Sequence, residues 1–215
     1  MDHELRISPG FTSEKLAAGD VSDHVDVYID RLEGWLFRPA EALVRGGLDC
    51  WVPALALLLG YFEGHAVYRD GLDTNGRGRV AFKSVLDEVC PLTEPMPGYE
   101  HVVVNDDTAD DIGDILYRDG RCGLYHDGFL RRRMLVADIA STLAASTHQE
   151  FGRVSAVVVN VERLLTDQRV HANAYAARLR DDANAEARNS FMRGWYLRRP
   201  DEELPLPERW PFNVA

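Results

Sequence analysis

The stretch "CWVPALALLLGYF" (residues 50–62) is the longest apolar run in the chain and sets the fold class. It is apolar on nearly every side of a helix, which is typical of a helix buried at the centre of a core. Asp49 can cap this helix, Pro53 fits its first turn, and we predict that it runs to about Tyr68. The run is too short to span a bilayer, so no membrane association is predicted.

Helical periodicity continues on both sides of this central helix. Upstream, apolar residues from Val25 to Leu36 recur at helical spacing, and Pro39 is expected to kink or end that helix. Downstream, helices are predicted at about 80–89, from Thr108 into an arginine-rich stretch, from about Glu162, and over "AEARNSFMRGWYL" (185–197). Between them, "MLVADIA" (134–140) and "SAVVVNV" (155–161) are rich in β-branched residues, which predicts two antiparallel strands.

These elements predict a mainly α protein, a helical bundle with a small antiparallel β-hairpin inserted before the C-terminal helices. Residues 1–20 are a lead-in, residues 21–199 form the helical domain with its hairpin at about 134–161, and residues 200–215 form a proline-rich tail.

Composition limits the classes of function. The net charge of −11 argues against a protein that binds nucleic acid over its whole surface, although a local basic site remains compatible with it. The three cysteines are far apart and form no CxxC pair, so a zinc ribbon is unsupported and a reducing compartment is favoured. The N-terminus lacks the apolar segment of a signal peptide, and we expect a cytoplasmic protein.

A second stretch, "RDGRCGLYHDGFLRRRM" (118–134), gathers five arginines around one histidine in an otherwise acidic chain. An arginine followed by a histidine after four to six residues is expected about twice by chance in such a chain. The match here is Arg121 to His126. On an α-helix these two residues point about 140° apart, so Gly120 or Gly123 must distort the helix or a partner chain must complete the site. Arg118 lies on the same α-helical face as His126 and is a second candidate.

The segment "LYRDGRCGLYHDG" (116–128) resembles the Arg-x(4–6)-His element of the HEPN superfamily, and more narrowly a set of uncharacterised bacterial HEPN-like proteins. Only "RCGLYHDG" is specific in sequence. The order of elements agrees over roughly residues 23 to 195, including "GYFEG" (60–64), "NGRG" (75–78), "VNVERLL" (159–165) and "HANAYAARL" (171–179). One departure is Cys122, where many HEPN nucleases carry Asn or another polar residue after the arginine.

The resemblance implies a helical bundle that forms a homodimer, and a metal-independent endoribonuclease acting in bacterial stress or phage defence, without a cofactor. Arg121 and His126 would be the catalytic pair, and an antitoxin protein would be a natural partner. Histidine exchanges a proton near neutral pH, and arginine offers a charged fork to phosphate. RNA phosphates would be held by flanking residues, namely Arg118, Tyr125, Arg131, Arg132 and Arg133.

Three alternatives stand beside this interpretation. Arg121 and His126 form a purely structural pair, with Asp127 or Asp119 as the carboxylate partner. Alternatively, the chain is a non-catalytic HEPN-like module that binds a nucleotide, an RNA or a protein. The third is a papain-like cysteine hydrolase that uses Cys50 at a helix start, with His101 and Asn105 or Asp106. His65 and His171 are expected to be hydrogen-bonded core residues, and no metal site is predicted.

Overall fold

The computed structural model describes residues 6–90, 111–148 and 153–197 of the chain. Over these residues the protein is mainly helical with a small three-stranded sheet, as the sequence predicts. The lead-in holds a short 3₁₀ turn at Ser13–Leu16. The helices are α1 (Val21–Arg31), α2 (Arg38–Arg45), α3 (Trp51–Asp70), α4 (Gly78–Val89), α5 (Ile112–Ile115), α6 (Val161–Arg180) and α7 (Ala185–Leu197), and the strands are β1 (Met134–Val136), β2 (Leu143–His148) and β3 (Arg153–Val159).

Helix α3 is the centre of the core. Leu55, Leu58 and Phe62 are fully buried, and the helix packs against α2, α4 and α7. The helix ends at Asp70, within one turn of the predicted end at Tyr68. Gly71 adopts a left-handed conformation (φ 64°), which stops the helix. The predicted Asp49 cap is wrong: a 3₁₀ turn at Leu48–Cys50 precedes the helix, and Cys50 occupies the capping position without a side-chain hydrogen bond.

Helices α1 and α2 form one continuous rod joined by a π-helical segment at Leu32–Phe37. Pro39 does not end this rod. It occupies the first turn of α2, directly after the π-helical segment, where a widened backbone tolerates the missing N–H group. Trp35, predicted on the apolar face, is 53% exposed, and the Arg31 guanidinium lies 5.8 Å from its ring centre.

The sheet corrects the predicted hairpin. β1 pairs with β3 in parallel, with Met134 opposite Val157, and β3 lies between β1 and β2. The antiparallel partner of β3 is β2, with Leu143 opposite Val159. The sequence prediction missed β2, and it took the parallel neighbours β1 and β3 for an antiparallel pair.

A second apolar cluster joins α1, α6 and α7, so the termini of the helical domain pack together. Arg169 of α6 ties this side to the π-helical segment and α2 through ion pairs of 3.0 Å to Glu33 and 3.1 Å to Glu41. The predicted loop at 91–100, the Thr108 cap and the proline-rich tail at 200–215 lie outside the described residues.

Candidate functional site

The first part of the arginine-rich stretch, with Arg118, Arg121 and His126, lies on a second π-helical segment, Leu116–Asp127, which continues α5. The other three arginines follow this segment and precede β1. A capping box starts this unit, since Asp111 accepts from the Asp114 N–H at 2.8 Å and Asp114 accepts from the Asp111 N–H at 3.3 Å. Gly128 (φ 77°) ends it. The acidic residues at this helix start that the structure describes therefore serve as caps.

The π-helical geometry changes the relation between Arg121 and His126. A π-helix hydrogen-bonds residue i to residue i+5 and has more residues per turn than an α-helix. The separation of about 140° that a regular α-helix gives these two residues is therefore smaller in this segment. The departure from α-helical geometry extends over the whole π-helical segment, which contains both Gly120 and Gly123, where a distortion was predicted. His126 is exposed, and Arg121 is about a quarter exposed.

Arg121 is held by α3 and by two aromatic rings. Its Nη2 lies 2.8 Å from Oε2 of Glu63, and its guanidinium lies 4.9 Å from the Tyr125 ring centre and 5.8 Å from that of Tyr117. The carboxylate partner is thus Glu63, and neither Asp127 nor Asp119 takes that place. Glu63 belongs to the "GYFEG" segment of the central helix, where no motif or spacing marks it as a site residue.

Asp119 is the buried anchor of two other predicted phosphate-binding arginines. Its Oδ2 lies 2.7 Å from Nε of Arg133 and its Oδ1 lies 3.2 Å from Nε of Arg118, while its side chain is only 8% exposed. Its backbone carbonyl accepts the Arg131 N–H at 2.9 Å. Arg118 and Arg133 are therefore fixed in place by a carboxylate beneath them.

The remaining arginines of the stretch are more open. Arg131 pairs with Asp127 at 2.7 Å, and this hydrogen bond lowers the pKa of the Asp127 carboxyl. Arg132 is exposed, and its side chain forms no ion pair with the residues that the structure describes. Five arginines set against Glu63, Asp119 and Asp127 leave a local net charge of +2 in a chain whose net charge is −11.

Two aromatic side chains stand out of the surface beside these charges. Tyr125 is 57% exposed, and Phe129, directly after the Gly128 turn, is 75% exposed. Exposed rings beside arginines are the usual platform for stacked bases of single-stranded nucleic acid. Tyr125 was a predicted RNA contact, whereas Phe129 was overlooked because a lone aromatic in a loop gives no periodic pattern.

A polar groove of about 410 Å³ opens next to Arg121. It lies between α3, the loop that follows it and the π-helical segment. Its described lining residues are Gly60, Glu63, Gly64, Val67, Asp73, Thr74, Asn75, Arg121, Tyr125 and Leu197. This volume is within the range of small-molecule sites.

A larger open cavity of about 640 Å³ lies across α4, lined in part by Arg79, Lys83 and Asp111. Burial alone would raise the pKa of nearby Asp114, but hydrogen bonds from Arg79 and Lys83 outweigh it and lower the pKa to about 2. The charges in this region are matched in ion pairs, which is typical of a structural network.

Both predicted core histidines are hydrogen-bonded, but only His65 is buried in the core, and His171 is partly exposed. His65 Nδ1 lies 2.8 Å from the Tyr28 hydroxyl, and His171 Nδ1 lies 2.7 Å from the Tyr61 hydroxyl. Burial, together with the neighbouring His171 and Arg69, lowers the pKa of His65 well below its usual value.

The cysteine-hydrolase alternative depends on Cys50 together with residues of the segment that follows α4. Cys50 is a partly exposed free thiol at the start of α3, but His101, Asn105 and Asp106 lie outside the described residues. Burial raises the pKa of Cys90 to about 12, which suits an unreactive core thiol. Cys122 lies beside the candidate arginine, and burial together with the neighbouring Cys122 raises the pKa of the Tyr117 hydroxyl.

Within the described ranges, no group of three or more His, Cys, Asp or Glu side chains is placed to hold a metal ion. The segment Leu48–Asp70 is long and apolar enough to cross a membrane, but 56% of its most apolar window is buried inside the fold. Core helices of soluble proteins pass the same test.

Comparison of the chain with protein-family models, with curated proteins and with solved structures gave no match. The HEPN resemblance therefore stays a prediction that depends on the "RCGLYHDG" segment and the order of elements.

Proposed function

We propose that the protein is a metal-independent endoribonuclease whose reacting site is formed by Arg121 and His126, in a homodimer of HEPN-like chains. The observation that carries the proposal is the locally basic surface at the π-helical segment, on which Arg121 and an exposed His126 lie five residues apart. In an acidic protein such a patch favours phosphate at this place over the rest of the surface.

The residues suit cleavage by the neighbouring hydroxyl of the RNA. His126 takes the proton of the 2′-hydroxyl, whose oxygen attacks the phosphorus. The bond to the 5′-oxygen breaks, that oxygen receives a proton, and a 2′,3′-cyclic phosphate remains. The guanidinium of Arg121 stabilises the negative charge that builds up on the phosphoryl oxygens. A second histidine, from the other chain of the dimer, would supply the proton to the leaving oxygen.

The surroundings would hold the RNA without reading its sequence. Arg132 and Arg131 are open to solvent and would contact flanking phosphates, and Tyr125 and Phe129 would stack on unpaired bases. Arg118 and Arg133, which Asp119 fixes, would contribute charge from defined positions.

The test is cleavage of a mixed-sequence RNA by the purified chain in excess EDTA. We expect 2′,3′-cyclic ends from the wild type and a loss of rate of about 10²- to 10⁴-fold in His126→Ala. Arg45→Ala is the matched control, because Arg45 is a 76% exposed arginine on α2, outside the site. Equal rates for wild type and His126→Ala, or no cleavage by a folded dimer, would refute the nuclease.

A second candidate function is a non-catalytic module that binds RNA, a nucleotide or a protein partner. The observation that favours it is the ion pair between Arg121 and Glu63, which already engages the guanidinium that a nuclease would aim at phosphate. This module predicts RNA binding without cleavage, weakened by Arg132→Ala and unchanged by Arg45→Ala in fluorescence anisotropy. The cysteine hydrolase predicts instead an activity that a thiol reagent abolishes and that Cys50→Ser lacks.

A further inference from the structure

Helix α3 forms the floor of the polar groove beside Arg121, and two glycines one turn apart, Gly60 and Gly64, lie on that floor. Glycine inside a helix is unfavourable relative to alanine, so each position calls for a reason. At Gly60 the reason is visible, because a Cβ atom there would lie 3.0 Å from the hydroxyl of Tyr125.

For Gly64 the described residues offer no such reason. A Cβ atom at this position would meet no described atom within 4 Å, and the backbone there is ordinary α-helix. Packing and backbone geometry would both accept alanine. A helix surface kept bare where it faces a groove is suited to a ligand that approaches the backbone closely.

The side chains that line the groove indicate which kind of ligand it would bind. On one side the Tyr125 ring, with the Arg121 guanidinium against it, offers a flat surface. On the other side Asp73 accepts hydrogen bonds from the backbone N–H and the side-chain amide of Asn75, at 3.2 Å and 2.6 Å, in a tight polar turn. Glu63 adds a second carboxylate between them. A flat face combined with a hydrogen-bonding edge matches a heterocyclic base.

We propose that this groove is a nucleobase subsite, in which a base of the RNA lies flat against the bare surface of α3 at Gly64 beside the Tyr125 ring. The Asp73–Asn75 turn contacts the edge of the base, and the Asp73 carboxylate favours a base with N–H donors, such as guanine. Arg121 lines both this groove and the reacting site, so the bound base belongs to a nucleotide next to the cleaved phosphate. The inference rests on the proposed function in taking RNA as the ligand.

The test measures binding, so that its result does not depend on cleavage. Guanosine 3′-monophosphate and ribose 5-phosphate are titrated into the full chain in EDTA by isothermal titration calorimetry. We expect the nucleotide to bind at least about 10-fold more tightly than the sugar phosphate, because the base removes apolar surface of α3 and of the Tyr125 ring from water and the sugar phosphate does not.

Gly64→Ala and Gly64→Leu are the deciding variants. We expect Gly64→Ala to raise the melting temperature by about 2 °C, because alanine is the better helix former. Both variants should lose the preference for the nucleotide while still binding ribose 5-phosphate as the wild type does. Val170→Leu, at a 65% exposed position on α6 outside the groove, is the control and should keep the preference.

The outcomes separate this inference from the nuclease. A nucleotide preference that depends on Gly64 supports the subsite even if RNA is never cleaved, and the binding module then becomes the function. Equal affinities for the nucleotide and the sugar phosphate in the wild type would overturn the subsite, as would an unchanged preference in Gly64→Leu. Either result leaves RNA cleavage by His126 to be judged by its own assay.

Discussion

Replacing Asp119 with Asn removes the buried charge under the arginine-rich surface while keeping the size of the side chain. The carboxylate is 8% exposed and holds Arg133, which is 26% exposed, at 2.7 Å and Arg118, which is 48% exposed, at 3.2 Å. Removing one partner of a fully buried pair costs about 3–5 kcal/mol, whereas an exposed pair is worth about 0–1 kcal/mol.

The two arginines fall between these limits, since each can turn partly into water. We assign about 2 kcal/mol to the pair with Arg133 and under 1 kcal/mol to the pair with Arg118, a total of about 2–3 kcal/mol. For a chain of this length that corresponds to a drop in melting temperature of about 5–10 °C.

Urea unfolding followed by circular dichroism measures this free energy of unfolding. An unchanged m-value shows that the substitution alters the stability and not the surface exposed on unfolding. Asp127→Asn is the matched control, because the Asp127–Arg131 pair is 47% and 40% exposed and should cost under 1 kcal/mol. If Asp119→Asn cost no more than Asp127→Asn, the carboxylate would not be the anchor described here. A double-mutant cycle with Arg133→Ala isolates the pair itself.

Two further predictions concern the core. Gly194→Ala should destabilise the protein by more than about 3 kcal/mol or prevent folding, because its Cβ atom would lie 2.3 Å from the Val67 carbonyl oxygen of α3; a melting temperature equal to the wild type's would contradict this close packing of α3 and α7. Burial opposes protonation of His65 in the folded chain, whereas in the unfolded chain its pKa is about 6.5. The contribution of His65 to stability is therefore complete above about pH 6.5. It falls as the pH drops below that value, by up to about 2 kcal/mol between pH 7.5 and pH 5. Urea midpoints of wild type and His65→Phe over that range measure the effect, and parallel pH curves for the two proteins would contradict it.

Much of the helical fold follows from the sequence, because α3 is a long apolar run that ends at a glycine and because α4, α6 and α7 have apolar residues at helical spacing. The two π-helical segments could not be predicted from the sequence, because a search for apolar residues at 3.6 residues per turn assumes α-helical geometry. Strand β2 was missed because "LAASTH" (143–148) is rich in alanine and serine, which are weak strand formers. The parallel pairing of β1 with β3 depends on a tertiary arrangement that no local pattern contains.

The candidate site divides in the same way. Arg121, His126 and Tyr125 were found because they are neighbours in one unusual stretch. Glu63 and the groove were not, because they come from α3 and the loop after it and meet Arg121 only in the folded chain. Even the relation between Arg121 and His126 needed the structure, since it depends on the helix type.

The parallel pairing of β1 with β3 has a consequence for the order in which the protein can mature on the ribosome. The carbonyl of Arg133 accepts the N–H of Val157 at 2.7 Å, so the last arginine of the stretch is tied to a strand synthesised after it. The basic segment emerges first and lacks this attachment until β3 has left the exit tunnel. A nascent chain stalled before β3 therefore carries Arg133 without its strand partner, beside the ribosome's own RNA, although Asp119 has already been synthesised, and the finished surface is a late product of synthesis.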